Sequence, residues 1–495
     1  MFPETALYRG ADVRELDRRA MAAEGVDAWA LMQRAASALY DNLRRFHPSA
    51  RRVLVLCGGG NNGGDGYALA SIAREAGLEV TVCALRDRDR LSGAARQAAE
   101  TWGGPASRFS DDLLTNADVV IDALLGTGLD RPMTDEYAQV ITALNGSGLP
   151  VIAADIPSGL DADTGAVMGV AVRASLTVTF IGLKAGLFTG RGPALAGKVI
   201  FAPLAVPAGI HEGIAPVGRL LQPSDLAAWL PPRERDAHKG DFGHAWLLGG
   251  GEGMPGALRL AGKAALRAGA GRVSALCWPG NVTAVAAGRP EMMCRALVDA
   301  AALPEYLAHA DVLAVGPGLG QDEWAGRTWQ RLGESRHELP LVIDADGLNW
   351  LAKAPFRLSP ADVLTPHPGE AARLLGVTVA EVERDRLESA RALAGRFNAV
   401  AVLKGAGSII AAPDGRLAVC DRGNPGMAGG GMGDALTGVI AAFRAQGLAA
   451  FEAACAGVLA HALAGDRAAR QGERGLLAGD LINELRAVVN PGRGT

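Results

Sequence analysis

Residues 52–75 read RVLVLCGGGNNGGDGYALASIARE, and the order of residue types along them decides the fold. Val53 to Cys57 form an unbroken apolar run, as in a strand covered on both faces by other elements. Glycines 58–60 and the polar stretch NNGGDG follow, and then apolar residues at helical spacing predict a helix over 65–76. Strand, glycine-rich turn and helix in that order make a βα unit, the repeat of a mostly parallel, doubly wound sheet.

Working outward, the same alternation continues. Strands are predicted at 79–85, 118–122, 150–154 and 176–181, with a helix at 134–144, while residues 13–45 carry helical periodicity. The pattern lapses between about 206 and 237, where proline, glycine and mixed charge (PAGIHEGIAPVG, PPRERD) mark a connection. A second series follows, with strands at 245–249, 272–276, 311–315, 341–344, 362–365 and 399–403, and helices at 255–268, 378–396, 432–445 and 449–468. The expected architecture is α/β with two doubly wound domains, over residues 1–215 and 222–490. The halves are not repeats, because the densest glycine turn comes early in the first and late in the second.

Composition narrows the function classes. The 49 basic and 53 acidic side chains leave a formal charge of −4, so bulk electrostatics holds neither nucleic acid nor an anionic membrane. The six cysteines (57, 83, 277, 294, 420, 455) are far apart, which argues against structural zinc or a disulfide framework. The N-terminus has no apolar signal-type core, and the longest apolar stretch near the C-terminus is broken by Glu452 and His461. The expectation is a cytoplasmic enzyme, assembled as a homo-oligomer.

In a doubly wound sheet, side chains just past the carboxyl ends of strands converge on one crevice. In the first half those are Asn61, Asn62 and Asp65, Asp122 with the following LLGTGLDRP, and Asp155 with the following IPSGLDADTG. Gly58, Gly60 and Gly63 satisfy G-x-G-x-x-G, a weak signal in a chain with 66 glycines. Oxygens of Asn62, Asp122 and Ser158, with no thiol or histidine among them, suit a hard cation better than zinc. Each aspartate alone reads equally as a turn or cap residue.

NNGGDG, DALLGTGLDRP and DIPSGLDADTG, in that order, resemble the NAD(P)H-hydrate epimerase family over roughly residues 1–215, a Rossmann-like fold. The resemblance implies that Asn61, Asn62, Gly63, Gly64, Asp65 and Gly126, Thr127, Gly128, Leu129, Asp130, Arg131, Pro132 hold the nucleotide. It further implies that Asn62, Asp122 and Ser158 ligate K+ and that Asp155 contacts the substrate ring. A carboxylate there suits the proton transfer that epimerisation requires. Lys184 is a second candidate, its expected place being the surface.

In the second half the densest cluster is NPGMAGGGMGD at 424–434, directly before a helix. Stacked glycines opening a helix leave N–H groups free to meet an anion, and Asp434, closing the turn, suits a base that deprotonates a hydroxyl during phosphoryl transfer. Lys404-Gly405-Ala406-Gly407-Ser408, Gly318 and His367 lie at other strand ends; no Walker motif is present. These motifs resemble ADP- or ATP-dependent NAD(P)H-hydrate dehydratase, of the ribokinase-like superfamily, over roughly residues 222–490. The resemblance implies that Ala257, Gly318, His367 and Asp434 contact the hydrate, and that Lys404 to Ser408 and Gly433 hold ADP with Mg2+. Ser408 stands where threonine is common. The implied activity is repair of hydrated NADH and NADPH at the expense of ADP, the fused arrangement favouring ADP over ATP. The rival readings are a small-alcohol kinase, which leaves residues 1–215 idle, and a catalytically silent nucleotide-binding regulator.

Overall fold

The computed structural model describes residues 4–128, 133, 135–287 and 289–490. The chain divides into two compact units, residues 1–219 and 220–495. Among the described residues no helix is long and apolar enough to cross a membrane.

The first unit holds a seven-stranded sheet in the order Ala106–Ser107, Glu79–Ala84, Arg52–Cys57, Val119–Ala123, Val151–Ala154, Leu176–Phe180, Lys198–Ala202, with neighbours parallel throughout. The quoted run is its pivot. Alternate residues of Arg52–Cys57 point to opposite layers, Val53, Val55 and Cys57 joining one apolar cluster and Leu54 and Leu56 the other. Strand order reverses between Arg52–Cys57 and Val119–Ala123, paired Cys57 to Ala123, so the crevice of a doubly wound sheet opens beyond those two residues.

The helix after the pivot spans Asn61–Glu75, four residues earlier than expected, so NNGGDG is its first turn and not a loop. Close packing explains this: a Cβ on Gly58 would stand 1.7 Å from the Leu124 carbonyl oxygen, and one on Gly63 2.2 Å from that of Gly58. Residues 13–45 form two helices, Gly10–Glu24 and Ala28–Phe46, separated by Gly25 in the left-handed region. The sequence reading missed the outer strand Lys198–Ala202. It also missed a small ribbon in which Ala6–Tyr8 pairs parallel with Leu183–Lys184 and antiparallel with Gly218–Leu220.

In the second unit seven parallel strands run in the order Met293–Ala296, Arg272–Cys277, His244–Leu248, Val312–Val315, Leu341–Ile343, Val363–Leu364, Val400–Leu403. Ser408–Ala411 and Leu417–Cys420 continue it antiparallel. Lys404–Ser408 therefore turns a hairpin and does not lead into a helix. The helix expected at 378–396 is two, Val379–Arg384 and Arg386–Phe397, with Asp385 capping the second. Met432–Ala445 and Ala450–Ala468 are apolar on nearly every face and buried accordingly, packed with Pro255–Arg267 and Ala478–Val488 on one side of the sheet.

Candidate functional sites

The crevice of the first unit is a cavity of about 380 Å³ whose wall includes Asn61, Asn62, Asp65, Gly126, Thr127, Gly128 and Asp155. Gly63 and Gly64 pack within the helix: a Cβ on Gly64 would stand 2.5 Å from the Met32 methyl. Leu129, Asp130, Arg131 and Pro132 lie outside the described residues.

Asp155 follows the strand Val151–Ala154 with φ +67°, a left-handed conformation uncommon for a residue with a side chain. Hydrogen bonds hold it there. Its N–H donates to the Val178 carbonyl (2.8 Å), and its Oδ1 accepts from Phe180 N–H (3.1 Å) and from the Lys184 ammonium. Lys184 is the clearest correction to the sequence reading: it is fully buried, not at the surface, and also donates to the Phe180 carbonyl (3.0 Å) and Thr179 Oγ1 (3.2 Å). Breaking a buried pair by removing one partner typically costs about 3 kcal/mol or more. Lys184→Met is therefore expected to lower the unfolding free energy of the first unit by that order, read from a denaturant titration, and an unchanged midpoint would mean the pair is a surface-type contact.

Two further carboxylates share the cavity. Asp17, on the helix Gly10–Glu24, has its carboxyl pushed up to about 6, by burial first and by Asp155 next, against Lys184. Asp65 is pushed well up by burial and then by Asp155 and Asp17. Asp17 was missed because nothing in a helical stretch of alternating charges distinguishes it from a solvated residue.

Below the cavity floor, Asp122 is fully buried and its carboxyl is raised to about 6 by burial, although Ser158 Oγ (2.6 Å), Ser158 N–H (2.8 Å) and Leu124 N–H (3.3 Å) all donate to it. Asn62 lies beneath Gly126, and neither its Oδ1 nor its Nδ2 has a partner. Orphaned amide atoms and a buried carboxylate met only by neutral donors fit a hard monovalent cation. Among the described residues no group of three or more His, Cys, Asp or Glu is placed to hold a metal.

In the second unit, Asp434 is the third residue of the helix Met432–Ala445, inside the helix and not at the end of the turn. Gly431 caps that helix in the left-handed region. The first-turn N–H groups and the exposed glycines 429 and 430 leave the helix start open to an anion. Burial, then Asp344 and Asp346, against Lys404, push the Asp434 carboxyl up to about 6.

Lys404 faces inward. Its ammonium contacts Asp344 (2.7 Å) and Glu370 (3.8 Å), and a Cβ on Gly433 would stand 3.3 Å from it. Burial pulls Lys404 down, but those two carboxylates outweigh it and hold the ammonium above the ordinary lysine range. Asp344 also accepts from Thr437 Oγ1 (2.7 Å), one turn beyond Asp434. Burial acts to raise it, yet Lys404 and the hydrogen bonds hold it below the usual carboxylate range. Glu370 is raised to about 7, chiefly by burial.

His367 caps the helix Pro368–Leu375: its Nδ1 accepts from Gly369 N–H (3.0 Å) and Glu370 N–H (3.4 Å), which leaves the proton on Nε2. Burial, then the Lys404 ammonium, lowers its pKa, which favours the neutral ring. Gly318 and Ala257 are neighbours, a Cβ on the glycine standing 3.3 Å from that of Ala257. Gly405 to Ser408 form the hairpin turn that follows Lys404, Ser408 Oγ donating to the Gly405 carbonyl (2.9 Å). The sequence reading missed Asp344, Glu370 and Thr437. Asp344 was legible, since it ends the strand LVID in the way Asp122 ends DVVID.

The chain matches two family models, one described as NAD(P)H-hydrate dehydratase over residues 245–487 and one as YjeF-related protein N-terminus over 28–186. A ribokinase-like superfamily protein from Enterococcus faecalis is 28% identical over 55% of this chain and 95% of that one, with a TM-score of 0.52. An ADP/ATP-dependent NAD(P)H-hydrate dehydratase from Bacillus subtilis, co-crystallised with ATP and Mg2+, is 30% identical over 54% of this chain and 96% of that one, TM-score 0.48. The bifunctional NAD(P)H-hydrate repair enzyme Nnr of Coxiella burnetii is 45% identical across 98% of this chain and 100% of its own length. With both family models matched in order and a relative alike from end to end, the chain belongs to the bifunctional NAD(P)H-hydrate repair enzymes.

Proposed function

We propose that residues 1–215 equilibrate the R and S forms of hydrated NADH and NADPH, and that residues 222–490 return the S form to NAD(P)H while ADP becomes AMP and phosphate. The observation that carries this is the group of buried Asp344 and Thr437 with half-buried Lys404 and Asp434 at the open start of a helix. A carboxylate base there stands beside an anion site with a fixed positive charge. The test is to mix the protein with hydrated NADH, ADP and Mg2+ and follow the return of NADH absorbance; no return with either epimer would end the proposal.

In the second unit Ala257, Gly318, His367 and Asp434 meet the hydrate, while Lys404 to Ser408 and Gly433 hold the nucleotide. Mg2+, when bound with ADP, neutralises charge on the phosphates. Asp434 takes the proton of the hydrate's hydroxyl as its oxygen bonds to the terminal phosphorus of ADP, and the bond from that phosphorus to the bridging oxygen breaks, AMP leaving with the electron pair. The phosphate then leaves with the C–O electron pair and the adjacent carbon releases a proton, restoring the ring. Because Asp434 must be ionised and its carboxyl is raised to about 6, kcat/KM for dehydration is expected to climb with pH through about 6 and then level. A flat profile from pH 5 to 7 would contradict it.

In the first unit Asn61 to Asp65 and Gly126 to Pro132 hold the nucleotide, and Asp155, steadied by Lys184, moves the proton while the ring opens or the hydroxyl departs. Asn62, Asp122 and Ser158 would hold K+, whose charge offsets the local carboxylates. Asp122→Ala is expected to abolish epimerisation and to remove a K+-dependent rise in the unfolding temperature that the parent protein shows by mass action. Retention of either would make Asp122 a turn residue. The same reading places the enzyme in a reducing cytoplasm as a homo-oligomer, which sedimentation checks.

A further inference from the structure

A second cavity, of about 390 Å³, lies in the C-terminal unit between the helix Pro255–Arg267 and Val285, Arg289 and Met292. Its wall carries Arg259, Lys263 and Arg289 over a floor of Leu260, Val285 and Met292. The sequence RLAGKAALR sets Arg259, Lys263 and Arg267 at i, i+4 and i+8, one face of the helix. Like charges at that spacing repel and weaken a helix, and Arg289 brings a fourth beside them. Among the described residues none of the four forms an ion pair or side-chain hydrogen bond. Burial, then Arg289 and Arg267, hold the Lys263 ammonium below the ordinary lysine range against the single opposing carboxylate, Asp480. Such a cluster is costly when empty and favourable around an anion.

The cavity adjoins the reacting centre. Leu260, on its floor, backs against the glycine turn before Asp434, where a Cβ on Gly431 would stand 2.4 Å from Leu260 Cδ1. Gly256, also on its wall, precedes Ala257, which touches Gly318.

We infer that this cavity is a phosphate subsite, in which Arg259, Lys263 and Arg289 hold a phosphate of a nucleotide whose body rests on Leu260, Val285 and Met292. The phosphate has two possible sources, the dinucleotide hydrate itself or a separate nucleotide. The first rests on the dehydratase reading; phosphate binding does not.

The test uses the full chain carrying Lys263→Gln with Arg289→Gln, and Lys263→Arg as the charge-keeping control. Inorganic pyrophosphate is titrated by calorimetry with ADP present and Mg2+ absent, so that the glycine turn is already filled. The double variant is expected to bind pyrophosphate on the order of 10-fold more weakly or worse, and Lys263→Arg to bind as the parent does. If the hydrate supplies the phosphate, its KM rises to a similar extent while kcat and the KM for ADP stay within about two-fold. A rise confined to the NADPH hydrate assigns the ribose phosphate; a rise for both hydrates assigns the pyrophosphate bridge. Weakened pyrophosphate binding with both KM values unchanged assigns a separate nucleotide. Weakened binding in a protein that dehydrates neither hydrate leaves the subsite standing and overturns the dehydratase reading alone. Pyrophosphate binding that is absent from the parent, or equal in the double variant, overturns the subsite.

Discussion

Asp434→Asn lowers the dehydration rate by on the order of 10²-fold or more while ADP still binds. The substitution keeps the side chain's volume and its capacity to hydrogen bond, so the helix start and the open N–H groups of its first turn persist. What is lost is the ability to accept a proton. Loss of a carboxylate beside Asp344 and Lys404 also relieves like-charge crowding, which Asp434 feels from Asp344 and Asp346. The folded state should therefore be no less stable, and calorimetric ADP binding should stay within a few-fold. Stopped-flow or steady-state absorbance with single-epimer hydrate separates the two quantities. A variant as fast as the parent would take Asp434 out of the chemistry and leave it as a first-turn charge complementing the helix dipole.

Asp155→Asn removes epimerisation to a comparable or greater extent, on the order of 10³-fold, and leaves dehydration of the pure S hydrate within a few-fold. The first effect follows from geometry. Asp155 is held by Phe180 N–H and Lys184 at a strand end inside the cavity, so its carboxylate is placed rather than free to be replaced by water. An amide cannot take up the proton and cannot neutralise the buried ammonium of Lys184. The second effect follows from the chain's division at residue 219, because changes in separate units with no shared partners generally act independently. Chromatographic equilibration of purified R and S hydrates reads the first, and NADH absorbance the second. Parallel loss of both activities in a folded variant would argue for one shared site.

Much of this fold is legible in the sequence. Buried parallel strands announce themselves as continuous apolar runs, and Arg52–Cys57, Val312–Val315 and Val400–Leu403 stand where those runs stood. Strand-end aspartates carried the sites for the same reason, since topology alone brings the carboxyl ends together. Short edge strands such as Ala106–Ser107 and Leu183–Lys184, two residues each, have no periodicity to detect. Lys184 was misread because its burial depends on Ala6–Tyr8, which is 176 positions away from Leu183 where Leu7 pairs with it. Glu370 and His367 form a helix cap, where the sequence reading had only His367 at a strand end. Only the fold reveals that Lys404 comes within 3.8 Å of Glu370.

The helix that bears Asp434 is buried along almost its whole length, with Gly438 seated against the Ala261 carbonyl, where a Cβ would stand at 2.0 Å. Elements of that kind exchange their amide hydrogens only when the whole cooperative unit opens, whereas mobile lids and loops open locally at far lower free energy. Amides from Leu436 to Phe443 should accordingly be among the last to take up deuterium. The carboxylate of Asp434, proposed as the base, then has no partly unfolded neighbour to drift with on warming, so dehydration should persist up to the temperature at which the unit melts and vanish there in a single step.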